Sequence, residues 1–169
     1  LTLDVENLSF TFPDTWTVIK FDDTVFYRGQ FGKMWEGIKA VDLVAVSDDR
    51  TAYLIEVKDY RVAREPGPKE LPHLVAAKVF DTLAAQIPCK LNANEDAEQA
   101  IAKRVSECLK LVVVLHVEQP LFNKGIFRPY DPANLQNKLR ELIKPIHARP
   151  LVLHRQAMGG VLWTVELNP

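Results

Sequence analysis

Asp42, Glu56 and Lys58 interrupt two otherwise apolar runs, residues 40–46 and 52–57, that flank the polar cluster Ser47, Asp48, Asp49, Arg50 and Thr51. Apolar runs on either side of such a cluster predict a β-hairpin. Side chains alternate across a strand, so Glu56 and Lys58 share one face while Ile55 and Val57 point to the other. A loop of three residues (48–50) or five (47–51) sets Asp42 opposite Glu56, with Cβ atoms about 5 Å apart. A loop of two or four would put the acids on opposite faces, and the odd-length loop is the expectation taken here. Two carboxylates and an ammonium are costly to bury unless they are paired or bind a metal. Oxygens at that separation suit a hard cation such as Mg²⁺. The lysine could then orient or deprotonate a water, or neutralise charge growing on a phosphate. A plainer alternative for the same residues is an ion pair on a solvated strand end. Against it stand Tyr53, Ile55 and Val57 on the opposite face and the β-branched neighbours of Glu56, which mark a central strand covered on both sides.

Asp42, thirteen residues, then Glu56–Val57–Lys58 between hydrophobic strand residues resembles the signature of the PD-(D/E)xK nuclease superfamily. The resemblance covers roughly residues 31 to 117, and it departs from the pattern where Val41 stands in place of the proline. It implies a restriction-endonuclease-like fold and a Mg²⁺-dependent endonuclease or phosphodiesterase, with Mn²⁺ as a substitute. Asp42, Glu56 and the Val57 main-chain carbonyl would hold the metal, and Lys58 would act on the attacking water. Nucleic acid would be the substrate, DNA before RNA, with a partner subunit or homodimer compatible. Two auxiliary residues follow from the same resemblance. Glu36, six residues before Asp42, would be an extra acid, although the match is loose and an exposed loop glutamate is the favoured reading. Lys78, on the helix after the Glu56 strand, would contact phosphate, although an i,i+3 pair with Asp81 is an alternative. A different class of function is a non-catalytic nucleic-acid-binding or assembly subunit on the same fold.

Length and composition set bounds. The 169 residues, 47% hydrophobic and 25% charged, suit one globular domain spanning 1–169. A formal net charge of −1 does not favour an enzyme that binds duplex DNA non-specifically. The average hides an asymmetry: Lys124, Arg128, Lys138, Arg140, Lys144, Arg149 and Arg155 stand against Asp131 and Glu141. That basic stretch could track a phosphate backbone or be a solvated helix face. Cys89 and Cys108 have no metal or disulfide spacing, nor do the four histidines, His73, His116, His147 and His154. No signal peptide is legible at the N-terminus and no apolar block is long enough for a bilayer, so a cytoplasmic location without membrane attachment is expected.

The remaining elements must position the hairpin. Residues 8–12, 15–21 and 24–28 alternate polar and apolar, and predict a short antiparallel β-meander. A glycine-punctuated loop over 29–37 follows, with a helical turn at 33–36. Residues 71–87 predict a helix apolar nearly all round and therefore buried between layers. Asn94 caps a second helix, with Ala97, Ala100, Ile101 and Val105 facing the core. The unbroken run 111–115 predicts a buried strand, with His116 a satisfied core histidine near its end. Asp131 and Pro132 open a third helix, with Leu135, Leu139, Leu142 and Ile143 as its stripe. Two last strands flank Met158–Gly159–Gly160. The order gives an α/β class: a mixed sheet of six or seven strands with helices on both faces, behind the N-terminal meander. No P-loop, GxSxG or GxGxxG occurs, which argues against nucleotide hydrolysis, esterase chemistry and dinucleotide binding.

Overall fold

The computed structural model describes residues 1–61, 69–120 and 130–168. The chain opens with β1 (Thr2–Val5), β2 (Leu8–Thr11) and β3 (Thr17–Lys20), and then a short helix, α1 (Val25–Gly29). The hairpin β4 (Leu43–Val46) and β5 (Thr51–Asp59) leads into α2 (Leu71–Asn92) and α3 (Asp96–Ser106). Strand β6 (Lys110–Glu118), helix α4 (Pro132–Ile143), β7 (Leu151–Leu153) and β8 (Thr164–Leu167) complete the chain. A five-stranded mixed sheet runs β3-β4-β5-β6-β7, and a three-stranded sheet runs β1-β2-β8. In the larger sheet β3, β4 and β5 are antiparallel neighbours, whereas β5, β6 and β7 are parallel and joined by helical crossovers.

The β4–β5 register pairs Leu43 with Ile55 and Val46 with Ala52. Ser47 N donates to Thr51 O at 3.0 Å, which leaves residues 48–50 as a three-residue loop, with Arg50 at φ 61°. A three-residue hairpin ends in a left-handed residue, and Arg50 fills that place. One register step beyond Leu43, Asp42 falls opposite Glu56, as the odd-length loop requires.

Alternation in the central strands builds two cores. Val44, Val46, Leu54, Val113 and Leu115 face α2, α3 and α4. Leu43, Ala45, Ile55, Val57 and Val114 face the small sheet, where Phe10, Phe12, Trp16 and Trp163 pack on them. The expected mixed sheet and flanking helices are present. The helices cover one face, however, and the small sheet covers the other.

Local differences have physical causes. Residues 24–28 form α1 rather than a third strand of the meander, because Thr24 caps it by accepting from Tyr27 N and Glu98 accepts Val25 N at 2.7 Å and Phe26 N at 3.0 Å. No local pattern announces a carboxylate supplied from α3. Glu98 is accordingly buried where Ala97 and Ala100 were expected to be, and both alanines are exposed. Helix α2 runs through Pro88 to Asn92 and is buried on one side only, leaving Leu74, Phe80, Ile87 and Leu91 exposed. Residues 65–68, where Pro66, Gly67 and Pro68 predict a loop, lie outside the described residues, as do Lys124 and Arg128.

Candidate functional site

Glu56 is the centre of a charged cluster on the helix-covered face of β5. Its side chain is 1% exposed. Lys58 Nζ lies 2.8 Å from Glu56 Oε1 and donates to the Val57 carbonyl at 2.9 Å. Lys78, from α2, reaches the same carboxylate, with Nζ 2.6 Å from Oε1 and 2.9 Å from Oε2. The same ammonium stands 3.7 Å from Asp42 Oδ1. Asp42 Oδ2 in turn accepts the Val57 N–H at 2.6 Å. Both ammoniums approach Glu56 Oε1 off hydrogen-bond geometry, so those contacts are ionic rather than directional.

Helix α2 positions both sides of this arrangement. Asp81 Oδ2 accepts Lys39 N at 3.0 Å and Thr82 Oγ1 accepts Val41 N at 3.0 Å. The helix therefore clamps the segment leading to Asp42, and one turn earlier it inserts Lys78 between the acids. Lys78 thus does not pair with Asp81. Lys78, Thr82 and Gln86 recur every four residues on the buried side, a polar line along a greasy helix that the sequence does display.

Burial and the neighbouring Asp42 raise the Glu56 carboxyl above its ordinary value, against the pull of Lys78 and Lys58. Burial disfavours charge on Lys58, yet Glu56, Asp42 and Glu6 outweigh it and hold the ammonium above its usual range. Two further acids belong to this field. Asp22, in the turn after β3, has its pKa pushed up to about 6, first by burial and then by Asp42, and its Oδ1 is buried without a hydrogen-bond partner. Glu6, at the β1–β2 turn with φ 52°, approaches Lys58 Nζ at 3.9 Å and accepts Asp59 N at 2.5 Å. In the sequence Asp22 falls between the expected strands 15–21 and 24–28, and neither it nor Glu6 carries a local signal of this role. Glu36 is exposed in the loop after Lys33 and makes none of these contacts.

The donors that the nuclease resemblance assigned to Mg²⁺ are Asp42, Glu56 and the Val57 carbonyl. They do not fit that ion as folded. The carbonyl and both Glu56 oxygens are held by ammoniums, and one Asp42 oxygen is held by a main-chain N–H. Among the described residues no group of three or more His, Cys, Asp or Glu is placed to hold a metal. No described helix is long and apolar enough to cross a membrane.

No family model matches the chain, and no solved structure matches it. A curated relative does: a cysteine–tRNA ligase of Neisseria meningitidis serogroup A is 27% identical over 207 residues, covering 98% of this chain and 30% of that protein. The chain thus spans under a third of that relative's length. These findings overturn the resemblance to the PD-(D/E)xK superfamily, and with it the nuclease activity and the DNA preference, while the mixed α/β architecture stands. The similarity runs to a tRNA ligase instead. The physical reason for the miss is that the motif consists of three charged residues at a hairpin spacing. An ion-paired strand face with the same register produces them equally well.

Proposed function

We propose that the chain is an RNA-binding module of a tRNA-ligase-related protein, with the Asp42–Glu56–Lys58–Lys78 cluster as its chemical centre. The observation that carries this reading is the 27% identity to a tRNA ligase, which extends along 98% of the chain rather than over an isolated motif. The chemistry available at the cluster is proton transfer: a carboxyl of raised pKa held beside two ammoniums at the end of a rigid strand. Glu56 would accept or return a proton, and Lys58, 27% exposed, is the ammonium nearest solvent.

The RNA backbone would lie along α4. Asn137, Arg140, Glu141 and Lys144 line one shallow exposed hollow. Lys69, Glu70, His73, Lys138 and Glu141 line the next, at the start of α2. Lys69, Lys138, Arg140 and Lys144 thus outnumber Glu70 and Glu141. Among the described residues none of these four cations is held in an ion pair. Unpaired surface cations release counterions when they meet phosphates, which makes such binding salt-dependent.

Fluorescence anisotropy with a tRNA transcript and a DNA duplex of equal length tests the reading. The transcript should bind, and more tightly than the duplex. Arg140→Ala with Lys144→Ala should weaken it about tenfold and lower the slope of log K against log salt by about 2. Absence of transcript binding at low salt would refute the module.

A further inference from the structure

We propose that Lys78 is a built-in counter-cation seated between Asp42 and Glu56, and that removing its ammonium converts this acid pair into a site for a divalent cation. The inference rests on the reading of this cluster as the chemical centre, but it needs no RNA. Lys78 Nζ stands 2.6 and 2.9 Å from the two oxygens of Glu56 and 3.7 Å from Asp42 Oδ1, so a single ammonium serves both acids. With Lys58 also against Glu56 Oε1, two positive charges match two negative ones. A divalent ion entering this balanced set would meet both ammoniums at close range, and the oxygens it needs are already taken.

The seat is also made by the fold rather than by a wandering side chain. The Lys78 side chain is only 17% exposed and leaves α2 one turn before Thr82, whose hydroxyl fixes Val41 beside Asp42. Strand and helix therefore present acids and ammonium to each other in a set geometry. Without the Lys78 charge, Asp42 and Glu56 would outweigh Lys58, and Asp22 and Glu6 would add to the negative field. Asp42 Oδ1 and Glu56 Oε2 would then be open, with Lys58 still on Oε1, a pair of carboxylate donors of the kind hard divalent cations take together with water.

The experiment is a calorimetric titration of the whole chain with Mn²⁺, with free ion followed by electron paramagnetic resonance and no RNA present. The wild type should show no saturable binding below about 1 mM, a range in which dedicated carboxylate sites do fill. Lys78→Met, which keeps the aliphatic stem, should bind one Mn²⁺ at least tenfold more tightly, and Mn²⁺ should raise its melting temperature. Lys78→Arg should behave as the wild type, and Lys78→Met with Glu56→Gln should lose the new binding. If Lys78→Met does not fold without metal, recovery of its folded circular-dichroism signal on adding Mn²⁺ supports the proposal, and no recovery counts against it. Wild-type binding as tight as that of the variant, or a folded Lys78→Met that binds no ion, overturns it. Because RNA is absent, either result leaves the tRNA measurement above to stand or fall by itself.

Discussion

Strands β5 and β6 carry buried charge on both of their faces, and the two clusters are built differently. On the helix side Glu56 meets two lysines, Lys58 two residues on and Lys78 from α2, and Lys78 also reaches Asp42. On the small-sheet side Glu118 accepts from Arg155 N at 2.7 Å and lies 3.1 Å from His116 Nε2, with Phe10 packed edge-on to the imidazole. Burial pushes both glutamates up, but the results diverge. Glu118 ends below its ordinary value, because His116 and the Arg155 main-chain N–H outweigh burial; Glu56 ends above its own. A main-chain donor is fixed by the fold and costs no side-chain entropy, whereas an ammonium reaches its partner on a flexible stem. Glu56 is therefore held by ionic contacts from side chains, whereas Glu118 is tied by a main-chain donor between β6 and the segment after β7.

The strongest break in this contrast is Lys78→Ala. It leaves a buried Glu56 with one cation, and it should cost about 3 kcal/mol, in the range for removing one partner of a buried pair. Adding Glu56→Gln should restore more than half of that, since the orphaned charge then disappears. Urea midpoints at constant slope measure both effects. A double variant as unstable as the single one would show that Lys78 matters through packing on α2 and not through charge.

The two clusters should also give the pH profile opposite slopes. Asp22 rises from 3.8 to about 6 on folding, and Glu56 rises as well. Each holds more protons in the folded state than in the unfolded one between its two pKa values, so their contribution to stability falls as pH rises through that window. Glu118 is lowered, so its contribution is present above about 4.5 and is lost as pH falls through its folded value. Asp22→Asn should therefore flatten the loss between about pH 4 and 6 by about 1 kcal/mol, a figure reduced for its partial exposure. Glu118→Gln should instead reduce the acid-side decline, to which Asp59, also lowered, contributes as well. Urea midpoints at half-unit pH intervals separate the two, and a steeper loss in Asp22→Asn would refute the assignment.

What the sequence disclosed follows the same division. The hairpin was legible because two apolar runs flank a polar cluster; its register was left between odd and even loops, and the three-residue loop 48–50 realises the expected odd one. The buried run of β6 and the Asp131–Pro132 start of α4 were legible too, since both signals are local, and Asp131 does accept Ala133 N at 3.0 Å. Pairings supplied from far along the chain were not. Glu98 caps α1 from 72 residues away, and Lys78, named as an auxiliary residue, was not expected to pair with Glu56 across 22. His116, expected to be a satisfied core histidine, has one ring nitrogen paired with Glu118, while Nδ1 is buried without a partner. The acid–lysine spacing was correctly read as a convergent set but attached to the wrong family, because such a set defines an electrostatic arrangement and not a reaction.

Arg155 provides the finest test of the contrast. Its guanidinium Nε lies 3.4 Å from Glu118 Oε2 and makes no hydrogen bond there, while its own backbone N–H supplies the short contact to Oε1. If Glu118 is tied chiefly by that N–H and by His116, the side chain of Arg155 is a minor partner. Arg155→Ala, which keeps the N–H, should then cost only about 0.5 kcal/mol, as partly exposed pairs do. Arg155→Pro, which removes the N–H, should cost at least 2 kcal/mol more, combining a buried acceptor left short with backbone restriction. Equal losses for the two substitutions in urea would mean that the guanidinium carries the tie. The small-sheet cluster would then depend on flexible side chains as much as the helix-side cluster does.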